Sequence, residues 1–235
     1  MRASPSAEPD FVELRRTMVD CQIRTFGVTD RAVIARFLEV PRENFVPAEQ
    51  KALAYSDLSL TIANAAPGGE SRRLLAPMVL ARLLQDADVK KQDKVLDVAP
   101  GTGYSTAILA GLVEEIAALE ADAKLQTLVK SNLAAVGFDN VPAIAGPLPD
   151  GVAERAPFDL IFVNGATEGH LDRLFGQLRE GGRLITLSRA ANDPDRFACH
   201  AIRFEKIAGQ ISSRILFDAA VPLLSAFREA PHFVF

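Results

Sequence analysis

A chain of 235 residues with a hydrophobic share of 49% can form one large α/β domain with a small extension, and it is long enough for a sizeable core. A net charge of −4 provides no electrostatic footprint for nucleic acid or an anionic membrane, so a substrate held by local contacts is expected. The two cysteines, Cys21 and Cys199, lie far apart with no C-x-x-C pair or histidine cluster nearby, which fits a reducing compartment and not a metal site.

Met1 to Asp10, rich in Ser, Pro and Ala, reads as a frayed tail. Phe11 to Thr25 places Leu14, Met18, Val19 and Cys21 at helical spacing. A second helix starts at Thr29 or Asp30, either of which can cap it, and carries Val33, Ile34, Phe37 and Leu38 on one face before Pro41 stops it. Pro41 to Pro47 is a proline-bracketed connector, and the two helices form a cap in front of the rest. Thr61 to Pro77 contains Pro67, Gly68, Gly69, Arg72 and Arg73 without a period, so it is expected to be a loop, functional or disordered. Met78 to Leu84 resumes a helix.

The run Lys94-Val95-Leu96-Asp97-Val98-Ala99-Pro100-Gly101-Thr102-Gly103-Tyr104 carries the most information. Lys94 to Ala99 reads as a buried parallel strand with one acid near its end. Gly101 and Gly103 allow the backbone to approach a ligand, and a helix from Tyr104 to Leu112 would turn free N–H groups and a positive dipole end toward it. The next strand, Glu115 to Leu119, leads to Glu120, at the distance along the chain where such a unit holds a nucleoside ribose. The spacing fits neither the dinucleotide fingerprint nor a triphosphate cradle.

Downstream, a helix from Asp122 to about Val136, a strand near Val141 to Ala145, a strand at Phe158 to Asn164 and a helix from Leu171 to Arg179 precede Glu180-Gly181-Gly182 and a strand from Arg183 to Leu187. Ala198 to Phe204 and Ile211 to Phe217 read as two strands around Gly209. The class is therefore α/β, with a mostly parallel sheet and an antiparallel carboxyl-terminal edge. No run approaches the roughly 18 apolar residues of a membrane span, and Met1 to Pro9 lacks the apolar core of a signal peptide, so a cytoplasmic protein is expected.

The acid followed by a short glycine turn, Asp97 to Gly103, is similar to the first motif of class I S-adenosylmethionine-dependent methyltransferases. Met18 to Ile23, Val40-Pro41-Arg42-Glu43-Asn44-Phe45-Val46-Pro47 and Ala54-Tyr55-Ser56-Asp57 resemble the amino-terminal signature of protein-L-isoaspartate O-methyltransferases. Leu96 to Ala110, Val141 to Gly146, Phe158 to Ala166 and Gln177 to Ile185 match that family in order and spacing.

The resemblance implies a Rossmann-like class I methyltransferase fold with a seven-stranded, mostly parallel sheet. Residues 1–77 would be tail, helical cap and loop, and 78–235 the S-adenosylmethionine-binding domain. It implies S-adenosyl-L-methionine as cofactor and isoaspartyl-containing proteins or peptides, or another carboxylate acceptor, as partners; from charge and composition no nucleic acid or membrane partner is expected. A catalytically altered sensor or scaffold, or a methyltransferase for a small carboxylic acid, are the alternatives. A carboxylate acceptor is already ionised at neutral pH and requires no general base.

The cofactor residues expected are Asp97, Val98, Ala99, Pro100, Gly101, Thr102, Gly103, Tyr104, Glu120, Ala121, Gly146, Pro147 and Asn164. Asn164 and Gly165, at the carboxyl end of the fourth core strand, and Leu75 are the catalytic-site candidates. Arg72 and Arg73 would clamp a substrate carboxylate or stand as solvated loop charges. Asp97 would hold the loop or a ligand ammonium, and Glu120 a ribose or a helix end. His170 would touch substrate or lie on a surface loop. Relative to the family pattern, Leu75 stands where a serine lies near the substrate carboxylate, Pro147 where an aspartate lies near the adenine, and Ala99-Pro100 where Gly-Thr is usual.

Overall fold

The computed structural model describes residues 9–64, 71–189 and 198–229. Most of the tail and the centre of the expected Thr61 to Pro77 loop, with Pro67, Gly68 and Gly69, lie outside these residues.

Helix α1 (Phe11–Met18) starts at Asp10, whose carboxylate accepts the N–H groups of Val12 and Glu13. It runs on through a wider turn, Val19–Ile23, and a tighter one, Arg24–Phe26, so the expected single helix changes pitch where Met18, Val19 and Ile23 are buried. Helix α2 (Arg31–Glu39) is capped by Asp30, which accepts from Ala32 and Val33, and not by Thr29. The backbone N–H groups of Thr29 and Asp30 instead reach the Gln85 side chain.

The connector after α2 is tied together by its own polar residues. The Tyr55 hydroxyl donates to Glu43, Arg15 donates to both Tyr55 and Glu43, and Asp57 accepts the Met78 N–H at the start of α3 (Pro77–Asp86).

The segment expected to be one long loop contains an antiparallel pair, β1 (Leu60–Ala63) and β2 (Arg72–Leu74), with Leu60 opposite Leu74 and Thr61 opposite Arg73. Strands of four and three residues are too short to show an alternation, and their pairing belongs to two segments rather than to either.

Seven further strands form one sheet. They are β3 (Lys94–Val98), β4 (Glu115–Glu120), β5 (Ala143–Ala145), β6 (Phe158–Thr167), β7 (Leu178–Ser188), β8 (Ala198–Ile207) and β9 (Gln210–Ala220), in the order β5-β4-β3-β6-β7-β8-β9. The first five run parallel, and β8 and β9 add antiparallel to the edge. Three helices connect the parallel strands: α4 (Tyr104–Ala110), α5 (Ala123–Ala135) and α6 (Asp172–Gly176).

Helix α6 is shorter than expected because Leu178 already pairs with Phe158, drawing Leu-Arg-Glu-Gly-Gly into β7 through a register break. Helix α4 likewise stops at Ala110 instead of Leu112.

Alternation along the central strands sends side chains into two cores. Val95, Leu160, Phe162 and Ile185 join the cap helices with α3, α4 and α5 on one face. Leu96, Val98, Ile161 and Val163 join Leu148, Leu174 and Phe227 on the other. The result is a three-layer α/β sandwich, with the cap packed into the first core. The chain reverses direction across the sheet at β3, which lies between β4 and β6, so the crevice beyond its carboxyl end is the topological switch point where open α/β sheets bind ligands.

Candidate functional site

β3 ends at Val98, and the turn that follows has positive φ at Ala99 (59°), Gly101 (65°) and Gly103 (95°). The two glycines adopt this region freely, but Ala99 carries a strain of about 1–2 kcal/mol at the position where the resembling family has glycine. Pro100 sits between them, and the cap holds the turn from the other side. The Thr102 hydroxyl donates to the Phe45 carbonyl at 2.6 Å, and the Asn132 amide donates to the Thr102 carbonyl at 3.0 Å. Tyr104 is fully buried against Phe45 and Phe37, and burial pushes its hydroxyl up to about 12. The Val-Pro-Arg-x-x-Phe segment thus braces the glycine turn.

Asp97 points into the cap-side core with no exposed surface. Ser105 and Thr106 donate to its Oδ2 at 2.8 and 2.7 Å, and the Asn164 amide donates to its Oδ1 at 2.5 Å and to the Val98 carbonyl at 3.1 Å. Burial pushes the carboxyl up to about 6, with the three donors pulling the other way. These are the contacts of a loop-holding acid, and they join the turn, α4 and the end of β6 in one buried network. Ser105 and Thr106 escaped the sequence reading, although a Ser-Thr pair directly after the turn was the available signal.

Glu120, at the end of β4, is 1% exposed and accepts five hydrogen bonds. Its Oε1 takes Arg72 Nη1 at 3.0 Å and the N–H groups of Ala121 and Asp122 at 2.9 and 3.3 Å. Its Oε2 takes Arg72 Nη2 at 3.0 Å and the Gly101 N–H at 3.1 Å. Arg72 Nη2 also reaches the Ala99 carbonyl at 3.1 Å. The guanidinium fork expected on a substrate carboxylate is therefore engaged with the chain's own ribose-acid candidate, and β2 is fastened across the turn. Arg73 is exposed, and it also lines the small cavity beside Leu75, Ala99 and Asn164. The Ile62 side chain of β1 covers Gly101.

The remaining candidates flank this arrangement. The Gly146 N–H donates to the Glu120 carbonyl at 3.3 Å, with Pro147 following it, and the Gly165 carbonyl accepts from the Thr186 hydroxyl at 3.2 Å. Leu75 is buried, and its carbonyl accepts from Arg42 at 2.8 Å. His170 is exposed on a surface loop, its Nε2 3.2 Å from the Arg228 carbonyl. Arg42 and Ile62 were not singled out from the sequence, because their relevance comes from neighbours 33 and 39 positions away.

A Cβ added to Gly101 would collide with Ile62 Cδ1, the flexible end of a side chain, while the positive φ would strain any branched residue. Gly101→Val is thus expected to lower stability by about 1–3 kcal/mol and to abolish S-adenosylhomocysteine binding. Calorimetry on the folded variant checks this, and undiminished affinity would move the cofactor away from the turn.

The donor set fits a nucleoside cofactor: two positive-φ glycines, a buried acid at the neighbouring strand end and a second acid beneath the turn converge at the switch point. Comparison with known proteins points the same way. The profile of the protein-L-isoaspartate(D-aspartate) O-methyltransferase family matches residues 14–212. A protein-L-isoaspartate O-methyltransferase of Koribacter versatilis (strain Ellin345) is 35% identical over 223 residues, which cover 93% of this chain and 96% of the relative.

Among solved structures, a protein-L-isoaspartate O-methyltransferase superposes with a TM-score of 0.77 at 26% identity, covering 91% of this chain and 67% of the other. The fold is also that of a Plasmodium falciparum structure described as a putative protein-L-isoaspartate O-methyltransferase in complex with S-adenosyl-L-homocysteine. It has a TM-score of 0.71 at 20% identity and covers 93% of this chain and 100% of that one. With a class I methyltransferase sheet, the braced glycine turn and a profile match across both cap and sheet, this chain belongs to the protein-L-isoaspartate(D-aspartate) O-methyltransferase family.

Proposed function

We propose that this chain is an S-adenosylmethionine-dependent O-methyltransferase that esterifies the α-carboxylate of isoaspartyl residues in proteins or peptides, a first step in repairing them. Family membership over residues 14–212 carries this reading. Gly101 and Gly103 would lie along the cofactor, Glu120 would hold its ribose, and Asp97 would keep the turn in register through Ser105, Thr106 and Asn164. When bound, the cofactor supplies an electrophilic methyl group on a sulfonium.

The protein's task is then alignment and exclusion of water rather than proton transfer. The acceptor carboxylate is ionised at neutral pH, so the reaction calls for no general base. No described helix is long and apolar enough to cross a membrane.

The Arg72–Glu120 pair favours a second reading, a cofactor-binding sensor or scaffold that transfers no methyl group to isoaspartate. A diol can reach Glu120 only after Arg72 releases it, since both carboxylate oxygens are already saturated with donors.

Calorimetric titration of the intact protein with S-adenosylhomocysteine, followed by S-adenosylmethionine plus an isoaspartyl peptide and a methyl-ester assay, separates the readings. Binding with ester formation is the expected result. Binding with no ester on any isoaspartyl peptide overturns isoaspartyl methylation in favour of the second reading.

A further inference from the structure

Arg42 is the largest fully buried side chain in the described protein, and its charge has no acidic partner there. It sits in the short turn Arg42–Asn44 after α2. One nitrogen, Nη2, donates to the Leu75 carbonyl at 2.8 Å, while Nε and Nη1 are shielded from solvent and make no hydrogen bond. The guanidinium lies over the Tyr104 ring, 4.7 Å from its centroid, close to the Tyr104 hydroxyl but without a well-aligned hydrogen bond to it, and the Asp57 carboxylate attracts it only through space. Among the described residues no carboxylate pairs with Arg42, and the adjacent Glu43 is engaged by Arg15 and Tyr55.

Such an arrangement is costly. Burial pulls the Arg42 pKa down, yet a guanidinium remains protonated at any working pH, so the charge stays. A buried charge with no ion pair, only through-space attraction from an Asp57 that accepts the Met78 N–H, is expensive, and buried N–H groups without acceptors add to that. Ring-face attraction to Tyr104 offsets only part of this.

The location gives this cost a use. Arg42, Tyr104, Ser105, Asn164, Ala99 and Leu75 line one cavity of about 10 Å3, room for roughly a single water molecule. That cavity lies between the glycine turn, the end of β6 and the residue that takes the place of the family's substrate-side serine.

We propose that Arg42 is the acceptor-recognition residue of this site, its unpartnered guanidinium N–H groups receiving the carboxylate of the acceptor once the Leu75 side chain gives way. The inference rests on the methyltransferase reading above, and it supplies what the hydroxyl-free Leu75 cannot, a donor for the acceptor carboxylate. It also provides discrimination. A carboxylate completes a charge pair in a dry pocket, whereas its methyl ester is neutral and leaves the guanidinium unpaired, so substrate is held and product is released.

The test compares Arg42→Met, which keeps an apolar side chain of similar reach, and Arg42→Lys, which keeps the charge, with the unaltered protein. Four quantities are read: the thermal midpoint, the affinity for S-adenosylhomocysteine, and the affinities for an isoaspartyl peptide and for succinate measured with S-adenosylhomocysteine present. For Arg42→Met the midpoint is expected to hold or rise and S-adenosylhomocysteine affinity to be unchanged. Peptide and succinate affinities are expected to fall by about 30-fold or more, with partial recovery in Arg42→Lys.

A midpoint drop of more than about 5 °C in Arg42→Met would assign the guanidinium to the fold and overturn the proposal. Carboxylate affinities that survive in Arg42→Met, or an unaltered protein that binds neither probe, overturn it as well. Arg42-dependent succinate binding with no response to isoaspartyl peptide would uphold the carboxylate site while removing isoaspartate as the acceptor.

Discussion

Glu120→Ala is expected to lower the unfolding free energy by about 3 kcal/mol and the affinity for S-adenosylhomocysteine by about a hundredfold or more. The stability loss follows from the hub that the carboxylate forms. Its removal leaves the Arg72 fork only the Ala99 carbonyl and orphans the N–H groups of Gly101, Ala121 and Asp122, which belong to the backbone and cannot turn away. The Arg72 side chain is 20% exposed and can recover some hydration, which puts the cost at the lower end of that for breaking a buried pair. In a chain of this size the thermal midpoint should fall by about 6–12 °C.

The affinity loss would follow if, as proposed, Glu120 is the acceptor for the ribose diol. The companion Arg72→Ala variant separates the two effects, because it weakens the fold while leaving Glu120 open to the ligand. Denaturation and calorimetry on both variants check this, and ligand affinity unchanged in Glu120→Ala would place the ribose elsewhere.

The second large effect concerns Asp97 and pH. Burial pushes its folded pKa up to about 6 from an ordinary 3.8, so between these values the native state holds a proton that the unfolded chain has released. The stability this contributes is fully present below about pH 4 and is lost as pH rises through about 6, a span worth about 3 kcal/mol. Asp97→Asn keeps the shape and cannot titrate. The stability of the unaltered protein relative to Asp97→Asn is therefore expected to decline by about 3 kcal/mol from pH 4 to pH 7 and then level off. Urea titrations at pH 4, 5, 6, 7 and 8 measure this directly, and a difference that stays flat with pH would mean that the carboxyl is not raised. At neutral pH Asp97 is ionised, held by Ser105, Thr106 and Asn164 at a cost to the fold that keeps the glycine turn in place.

Features governed by neighbours in the chain were legible in the amino-acid sequence. Asp10, Asp30 and Asp122 each accept N–H groups two and three residues on, so their helices start where a capping residue meets an apolar spacing. The strand, glycine turn, helix and second acid follow one another from Lys94 to Glu120, and parallel strands buried on both faces reveal themselves by composition. The last two strands flank a two-residue turn at Ala208-Gly209, both with positive φ, which is again a local signal.

What the tertiary structure alone decided depends on residues far apart along the chain. Pairing of β1 with β2 turned an apparent loop into a hairpin, and that hairpin carries Arg72 to Glu120, 48 positions away, and Ile62 onto Gly101. A guanidinium in the sequence shows neither its direction nor its partner, since a long flexible side chain is as often solvated as paired. The same holds for Arg42, whose sequence context marks a family signature but whose burial and bond to Leu75, with no ion pair among the described residues, arise only when the cap closes on the glycine turn. The physical reason is common to both. Local sequence sets backbone preference and capping, while the energy of a buried charge depends on which distant groups the fold brings to it.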